Sequence, residues 1–408
     1  MFADFGHDQL SLLDIKQDFD QNMNCNVSRT AIHKRFNTST VAFLKRLLMH
    51  QLSINLHTSP IKAEGLKAFG RINIKDSTKF TLPKDLSEEY PGFGGFNRSS
   101  GLMNIQYEYD LKTGKWLCLE LTKATRNDQQ DSKETIDSVM PGDLLIRDLG
   151  YATLSYMKQL NKKGAYYLNR LPAKTSVYIE GTKDINKINW DWVDKQLEEG
   201  HTGHIEFKVF LGTRKKTAAR LIVSKVPGTI YEQRIRKAKK SAKSKNYQLS
   251  EKYKTHARYN TFVTNAPEDK LPTESILDLY RLRWQIEIIF KTWKSVVSLN
   301  KVKKMKKERL ESQLLAKILW VLLNWKFLLI GNACIQQNEP DKGCSQIKFF
   351  KMIKRYTYEI RQIVFHGASL YNWIKNRFLK LLVDSIVEVK KGKTSLYQRL
   401  YKVNQCLS

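Results

Sequence analysis

Acidic residues are scarce in this chain. Across 408 residues, 40 Asp and Glu face 70 Lys and Arg, a formal charge of +30. The resulting pI of about 9.8 favours a polyanionic partner, because each phosphate neutralised releases counterions. Cysteine is also sparse. Cys25, Cys118, Cys334, Cys344 and Cys406 are five scattered thiols with no CxxC pair, which excludes a disulfide framework and points to reduced thiols in a cytoplasm. His201 and His204 form a lone HxxH without a nearby cysteine, too little for a zinc site. Long apolar runs are missing too. Leu314 to Ile330 is the most apolar stretch, but Lys317, Asn324 and Lys326 interrupt it, so a buried helix fits better than a membrane span. The opening MFADFGHDQLSLLD lacks the basic-then-apolar order of a secretory signal, and no lipidation motif or strongly basic amphipathic terminus suggests a membrane surface. With 41% hydrophobic and 11% aromatic residues, the chain has ample material for a core and for two or three structural units.

Residues 1–60 read as helical. Ser28 opens SRTAIHKRF, and the polar run Asn37-Thr38-Ser39-Thr40 precedes VAFLKRLLMHQL, which has helical apolar spacing. Two short basic helices across a polar turn suit either a DNA-reading module or a packing subdomain. From Arg71 the period changes to strand. RINIKDST alternates, GLMNIQYEYD and KWLCLELT flank a Thr113-Gly114 turn as a hairpin, and DLLIRDLGY is an apolar strand ending in a glycine turn. A helical stretch around 130–140 precedes that strand, a helix over 153–162 follows it, and AYYLNRL is a further strand. Three strands, helix, strand, helix, strand is the connectivity of an RNase H-like mixed sheet, an α/β (α+β) fold by analogy. Residues 173–262 read as a β-rich insertion containing HIEFKVFL and AARLIVSKV, then a basic loop. FVTNAP returns to the sheet, and the last 110 or so residues read as helices. The division is therefore 1–65 (helical, a possible DNA-end-binding region), 66–172 and 263–332 (the two parts of the core), 173–262 (insertion) and 333–408 (C-terminal helices).

The densest chemistry lies in LDLYRLRWQIEIIFKTWKS. Tyr280, Arg283, Glu287 and Lys294 follow one another at offsets of three, four and seven. At about 3.6 residues per turn, offsets of seven and fourteen return to nearly the same azimuth, so one helix would carry Tyr280, Glu287 and Lys294 on a single stripe. Arg283 lies roughly 60° to one side, and Leu279, Ile286, Phe290 and Trp293 form a core-facing stripe about 110° away. One carboxylate among a phenol, a guanidinium and an ammonium suits a site that holds both a metal and a phosphodiester.

Two further carboxylates complete a candidate set. Asp76 ends the first strand, and Asp148 ends the strand LLIR. With Glu287 on the helix packed beside them, they would hold two divalent cations, activating the attacking oxygen and stabilising the leaving one. Each has an ordinary alternative. Asp76 suits an Asx turn, Asp148 a plain strand-end turn, and Glu287 a surface ion-pair row with Lys291 and Lys294. Asp110 and Asp143 are rivals, Asp143 the weaker because it starts its strand on the opposite parity to Asp148. Arg234, Arg236, Lys237, Lys239, Lys240, Lys243 and Lys245 are seven cations with no acid among them, which favours phosphate contact over a merely solvated loop. Trp190 and Trp192 suit packing more than stacking on an unpaired base.

These motifs in this order resemble the DDE transposases of bacterial insertion-sequence family four, marked by a Tyr-Arg-Glu-Lys signature. INIKDST, LLIRDLGY and LYRLRWQIEIIFK through Lys294 carry the likeness, which runs from about residue 28 to 330. SRTAIHKRFNTSTVAFLKRLL resembles the family's helical leader and ERLESQLLAKILWVLLNW its following helix. Ala152, where many members have Phe, is a departure. The resemblance implies Asp76, Asp148 and Glu287 as the metal-binding triad, with two Mg²⁺ ions that Mn²⁺ would replace. It also implies Tyr280, Arg283 and Lys294 as grips on the phosphates of a cut transposon end. The partners implied are double-stranded DNA, as transposon ends and target, and a second copy of the chain in a homodimer; the place implied is the bacterial cytoplasm at the nucleoid. A structure-specific nuclease of the same fold, or a silent DNA-binding remnant, would share the basic surface.

Overall fold

The computed structural model describes residues 11–23, 25–54, 65–93, 100–180, 185–200, 203–213, 217–244, 246–365, 369–387 and 394–407. Helices α1 (Leu12–Met23), α2 (Arg29–Arg35) and α3 (Thr38–Ser53) form the leader. The polar residues before the last two act as N-caps: the Ser28 hydroxyl accepts from Ala31 N–H and the Asn37 amide oxygen from Thr40 N–H. The helical reading of residues 1–10 and 55–60 falls outside the described residues.

Strand β1 (Ile72–Leu82), β2 (Gly101–Asp110) and β3 (Trp116–Lys123) follow, then α4 (Asp128–Glu134), β4 (Leu144–Arg147), α5 (Leu154–Lys162) and β5 (Tyr166–Arg170). The next stretch comprises β6 (Val177–Glu180), β7 (Ile185–Lys187), α6 (Trp190–Glu199), β8 (His204–Leu211), β9 (Thr217–Lys225), α7 (Gly228–Ser244), α8 (Glu251–Ala257) and β10 (Tyr259–Thr264). Then come α9 (Thr273–Arg281), α10 (Trp284–Ser295), α11 (Lys307–Asn338) and α12 (Gln346–Phe365).

The chain divides into two compact units, one of residues 1–63, 75–126 and 284–402 and one of 64–74, 127–283 and 403–408. In the first, the strands stand in the order β3-β2-β1; in the second, β1-β4-β5-β10-β9-β8-β6-β7, with β1 in both because the division falls within it. The order β3-β2-β1-β4-β5 is that of an RNase H-like mixed sheet, and the fold class is as the sequence indicates. β4 and β5 run parallel, joined by α5, while β10 returns antiparallel to β5 with Phe262 opposite Arg170. β8 and β9 coincide with the two alternating segments of the insertion and join the sheet through β10.

The first unit is organised around an aromatic cluster. Tyr107 and Trp116 of the hairpin pack on Trp293 of α10, with ring centroids 5.0 and 5.5 Å away, and Trp116 reaches Trp325 of α11 at 6.2 Å. Ile286, Phe290 and Trp293 are buried, as their shared stripe predicts. The hairpin turns at Gly114, whose φ of 68° favours glycine; a Cβ there would also lie 2.4 Å from Leu329 Cδ2. α11 is long and apolar enough to cross a membrane, but 72% of its most apolar window is buried in the protein. The second unit has its own core, with Leu145, Tyr156, Tyr167, Leu221, Val223 and Val263 at its centre.

Three expectations are corrected. Asp76 does not end its strand: β1 continues through Leu82, because Thr78, Phe80 and Leu82 keep alternating into the interior. The basic loop is helix α7, since Tyr231 to Ser244 contains no Gly or Pro to stop a helix. The signature is not one helix. Leu282 and Arg283 form a turn in which their N–H groups donate to the carbonyls of Leu279 and Tyr280, three residues back, and α10 starts afresh at Trp284. Glu287 and Lys294 therefore share α10, while Tyr280 belongs to the helix before it.

Candidate active site

In the second unit, Asp148 follows directly on the buried strand β4, where the chain turns through Leu149 and Gly150. Tyr280 lies on α9 at 8% exposure. Its ring sits 4.9 Å from Phe262 of β10, and the Arg283 guanidinium carbon lies 5.9 Å from the ring centre. Burial raises the Tyr280 hydroxyl above its ordinary pKa; Asp148 pushes the same way, whereas Arg283 and Arg170 oppose it. Arg170, at the end of β5, is a residue that sequence reasoning missed. The available signal was its position, at the end of the strand parallel to the one that ends at Asp148. Asp128 lies beside the turn after Asp148. Its side chain lies against Gly150, where an added Cβ would come 2.8 Å from Asp128 Oδ2.

In the first unit, Asp76 sits half-buried within β1, its Oδ1 accepting from the Ser77 N–H at 2.8 Å. Glu287 occupies the first turn of α10, where the helix dipole favours a negative charge. Lys294 is in the last turn, and its ammonium donates to the Lys79 carbonyl of β1 at 3.0 Å. Burial lowers its pKa. This bond pins α10 to the strand that carries Asp76, and an ammonium has further protons for a ligand.

Both rival carboxylates have structural duties. Asp143 is 1% exposed and takes both oxygens to Arg71, with Nε at 2.9 Å. The Asp110 carboxylate accepts from Lys112 N–H at 3.1 Å and from the Thr113 hydroxyl at 2.7 Å, an Asx-type turn in the hairpin. Among the described residues, no group of three or more His, Cys, Asp and Glu is arranged to hold an ion.

Comparison with known proteins decides the family. The sequence profile of the transposase DDE domain matches residues 67–323, a span that includes Asp76, Asp148 and Glu287. The chain is 34% identical over 354 residues to the transposase for insertion sequence element IS231F of Bacillus thuringiensis subsp. israelensis, covering 83% of this chain and 73% of that protein. It is 35% identical over 371 residues to the IS231B transposase of Bacillus thuringiensis subsp. berliner, covering 87% and 77%. A transposase for IS1151 of Clostridium perfringens is 27% identical over 391 residues, 91% of this chain and 82% of that protein.

The chain belongs to the DDE transposase family. It is an enzyme of insertion-sequence transposition that cleaves and transfers DNA strands, in a family that generally depends on divalent metal. The carboxylate oxygens of Asp76, Asp148 and Glu287 are hard donors of the type such an ion takes, and all three are half-buried. The remaining predicted DNA-binding residues of the transposase separate into two groups. Arg236, Lys237, Lys239 and Lys240 are exposed on α7. Arg234 is not: its guanidinium donates to the carbonyls of Ala257 and Tyr259 and to the Asn260 side chain, at 3.1, 2.7 and 2.6 Å. Trp190 stacks on Tyr259 at 5.2 Å with His256 edge-on at 4.6 Å, while Trp192 stays 41% exposed beside Phe207. His201 lies outside the described residues.

Proposed function

We propose that this transposase moves its insertion sequence by cut-and-paste, and that it is a member of the family-four group with Tyr280, Arg283, Glu287 and Lys294 as its Tyr-Arg-Glu-Lys signature. The observation that supports the site is the placement of the Arg283 guanidinium 5.9 Å from the ring centre of the buried Tyr280, with Asp148 at the end of the neighbouring buried strand β4. Asp76, Asp148 and Glu287 would hold the divalent ions, with Mg²⁺ as the natural species and Mn²⁺ as a substitute. Two such ions supply Lewis acidity at the attacking and leaving oxygens of an in-line displacement.

The remaining chemistry belongs to the chain. Arg283 offers a planar fork to a phosphate, Lys294 a point charge, and Tyr280 a phenolic donor. Because burial raises the Tyr280 pKa, the hydroxyl stays protonated and donates rather than attacks. Hydrolysis at the element's end breaks one P–O bond and frees a 3′-hydroxyl. That hydroxyl then attacks a phosphodiester of the opposite strand or the target, so one P–O bond forms as another breaks and no covalent protein–DNA intermediate arises. Concerted work on two ends implies a homodimer on double-stranded DNA, acting at the nucleoid in the bacterial cytoplasm, with the helical leader reading the end. The exposed face of α7 adds phosphate contacts.

Glu287→Gln tests the triad. The variant is expected to bind end DNA like the wild type and to lose cleavage; cutting at the wild-type rate with Mg²⁺ would refute the assignment. Joined product from pre-cleaved ends distinguishes the transposase from a nuclease of the same fold.

A further inference from the structure

The insertion between β5 and β10 contains a half-buried arginine that the reaction does not use directly. Arg220 of β9 is 11% exposed along its side chain. Its Nε donates to Glu206 Oε1 of β8 at 2.5 Å, and one terminal nitrogen donates to Glu206 Oε2 at 2.7 Å and to the Thr273 hydroxyl at 3.0 Å. The other terminal nitrogen donates to the carbonyls of Ala266 and Leu271, at 2.9 and 2.8 Å. All five guanidinium protons are thereby engaged. The Thr273 hydroxyl in turn donates to Glu206.

These bonds converge on the start of α9. Thr273 is its first residue, and Pro272 before it provides no side-chain cap. Ala266 and Leu271 lie on the segment that leads from β10 into the helix. α9 is only nine residues long, with Tyr280 in its last turn and Arg283 in the turn beyond. A short helix gripped at its first residue, with Ile276 and Leu279 buried along it, transmits that position to its far end. Lysine could not replace the arginine, because three protons on a point charge cannot serve a carboxylate, a hydroxyl and two carbonyls in one plane.

We propose that Arg220 is a positioning residue: through Glu206 and Thr273 it ties the inserted strands to α9 and so aligns Tyr280 and Arg283 for strand transfer. The proposal rests on the reading of those two residues as phosphate grips. It gives the insertion a second task besides presenting the basic α7.

The experiment uses the full-length protein and pre-cleaved end DNA, comparing wild type, Arg220→Lys, Thr273→Val, Arg283→Ala and the double Arg220→Lys/Arg283→Ala. Strand-transfer rate at saturating DNA is the readout, with end binding and thermal melting measured alongside. Arg220→Lys is expected to slow transfer by about tenfold to a hundredfold while end binding stays within about twofold. Thr273→Val, which removes only the hydroxyl link to α9, should show the same sign and keep the test available if Arg220→Lys folds poorly. In the Arg283→Ala background, Arg220→Lys should add little, because the residue it positions is gone. Losses that multiply in the double variant, or a wild-type rate in both Arg220→Lys and Thr273→Val, would overturn the proposal. If Arg283→Ala by itself transfers normally, the phosphate reading fails instead; if Arg283→Ala is slow while Arg220→Lys and Thr273→Val both keep the wild-type rate, only the positioning role fails.

Discussion

Two arginines only two positions apart, Arg234 and Arg236, show how a shared charge serves different ends. Arg234 is half-buried and holds backbone carbonyls at the start of β10, whereas Arg236 faces solvent. Arg234→Ala is expected to cost about 1–3 kcal/mol by leaving buried carbonyls unsatisfied, seen as a lower denaturant midpoint. Arg236→Ala should leave the midpoint unchanged and weaken DNA binding. His256 makes a pH prediction. Burial, helped by Lys252, holds its imidazole down at about 4. The unfolded chain takes up that proton near pH 6.5, so stability is intact above that value and falls as pH drops toward 4. The loss is on the order of 2–3 kcal/mol. Denaturant midpoints between pH 7 and 4 should show this slope in the wild type and a flatter one in His256→Gln.

At the scale of elements, α10 is held by its aromatic side and by the bond from Lys294 to the Lys79 carbonyl. Removing the Trp293 ring from between Tyr107 and Trp116 is expected to cost about 3–5 kcal/mol, measurable by thermal melting. Lys294→Met keeps most of the side-chain bulk but loses the bond to the Lys79 carbonyl. It should impair strand transfer more than the first nick; equal rates for every intermediate on a gel would remove Lys294 from the site. The break at Leu282–Arg283 sets Tyr280 on a different helix from Glu287. Periodicity within LDLYRLRWQIEIIFK could not show this, since every residue there is an acceptable helix former and only the hydrogen bonding of the turn reveals the interruption.

For the whole molecule, the formal charge of +30 predicts DNA binding that weakens steeply with salt. Neutralising Arg236, Lys237, Lys239 and Lys240 together should reduce the slope of log K against log salt by about 0.9 for each phosphate that these side chains pair with. Fluorescence anisotropy across a KCl series reads this directly. A slope equal to that of the wild type would mean that α7 does not touch DNA.

Sequence by itself determined the class of fold, the order of strands through β5, the return of β10 and the buried stripe of α10. These follow from local periodicity and from capping residues such as Ser28 and Asn37, which act within a turn of where they stand. It also offered Asp76, Asp148 and Glu287 as candidate ligands, through the order of the motifs. Tertiary structure alone decided which charges are committed to the interior. Arg234 and Arg220 look like any other cations in the chain, yet both are bound to partners at least 14 residues away. Asp143 and Asp148 differ by five positions, and only the pairing of Asp143 with Arg71, 72 residues distant, separates a structural carboxylate from a candidate ligand. Burial and long-range partnering are properties of neighbours in space, and a linear pattern carries no record of them.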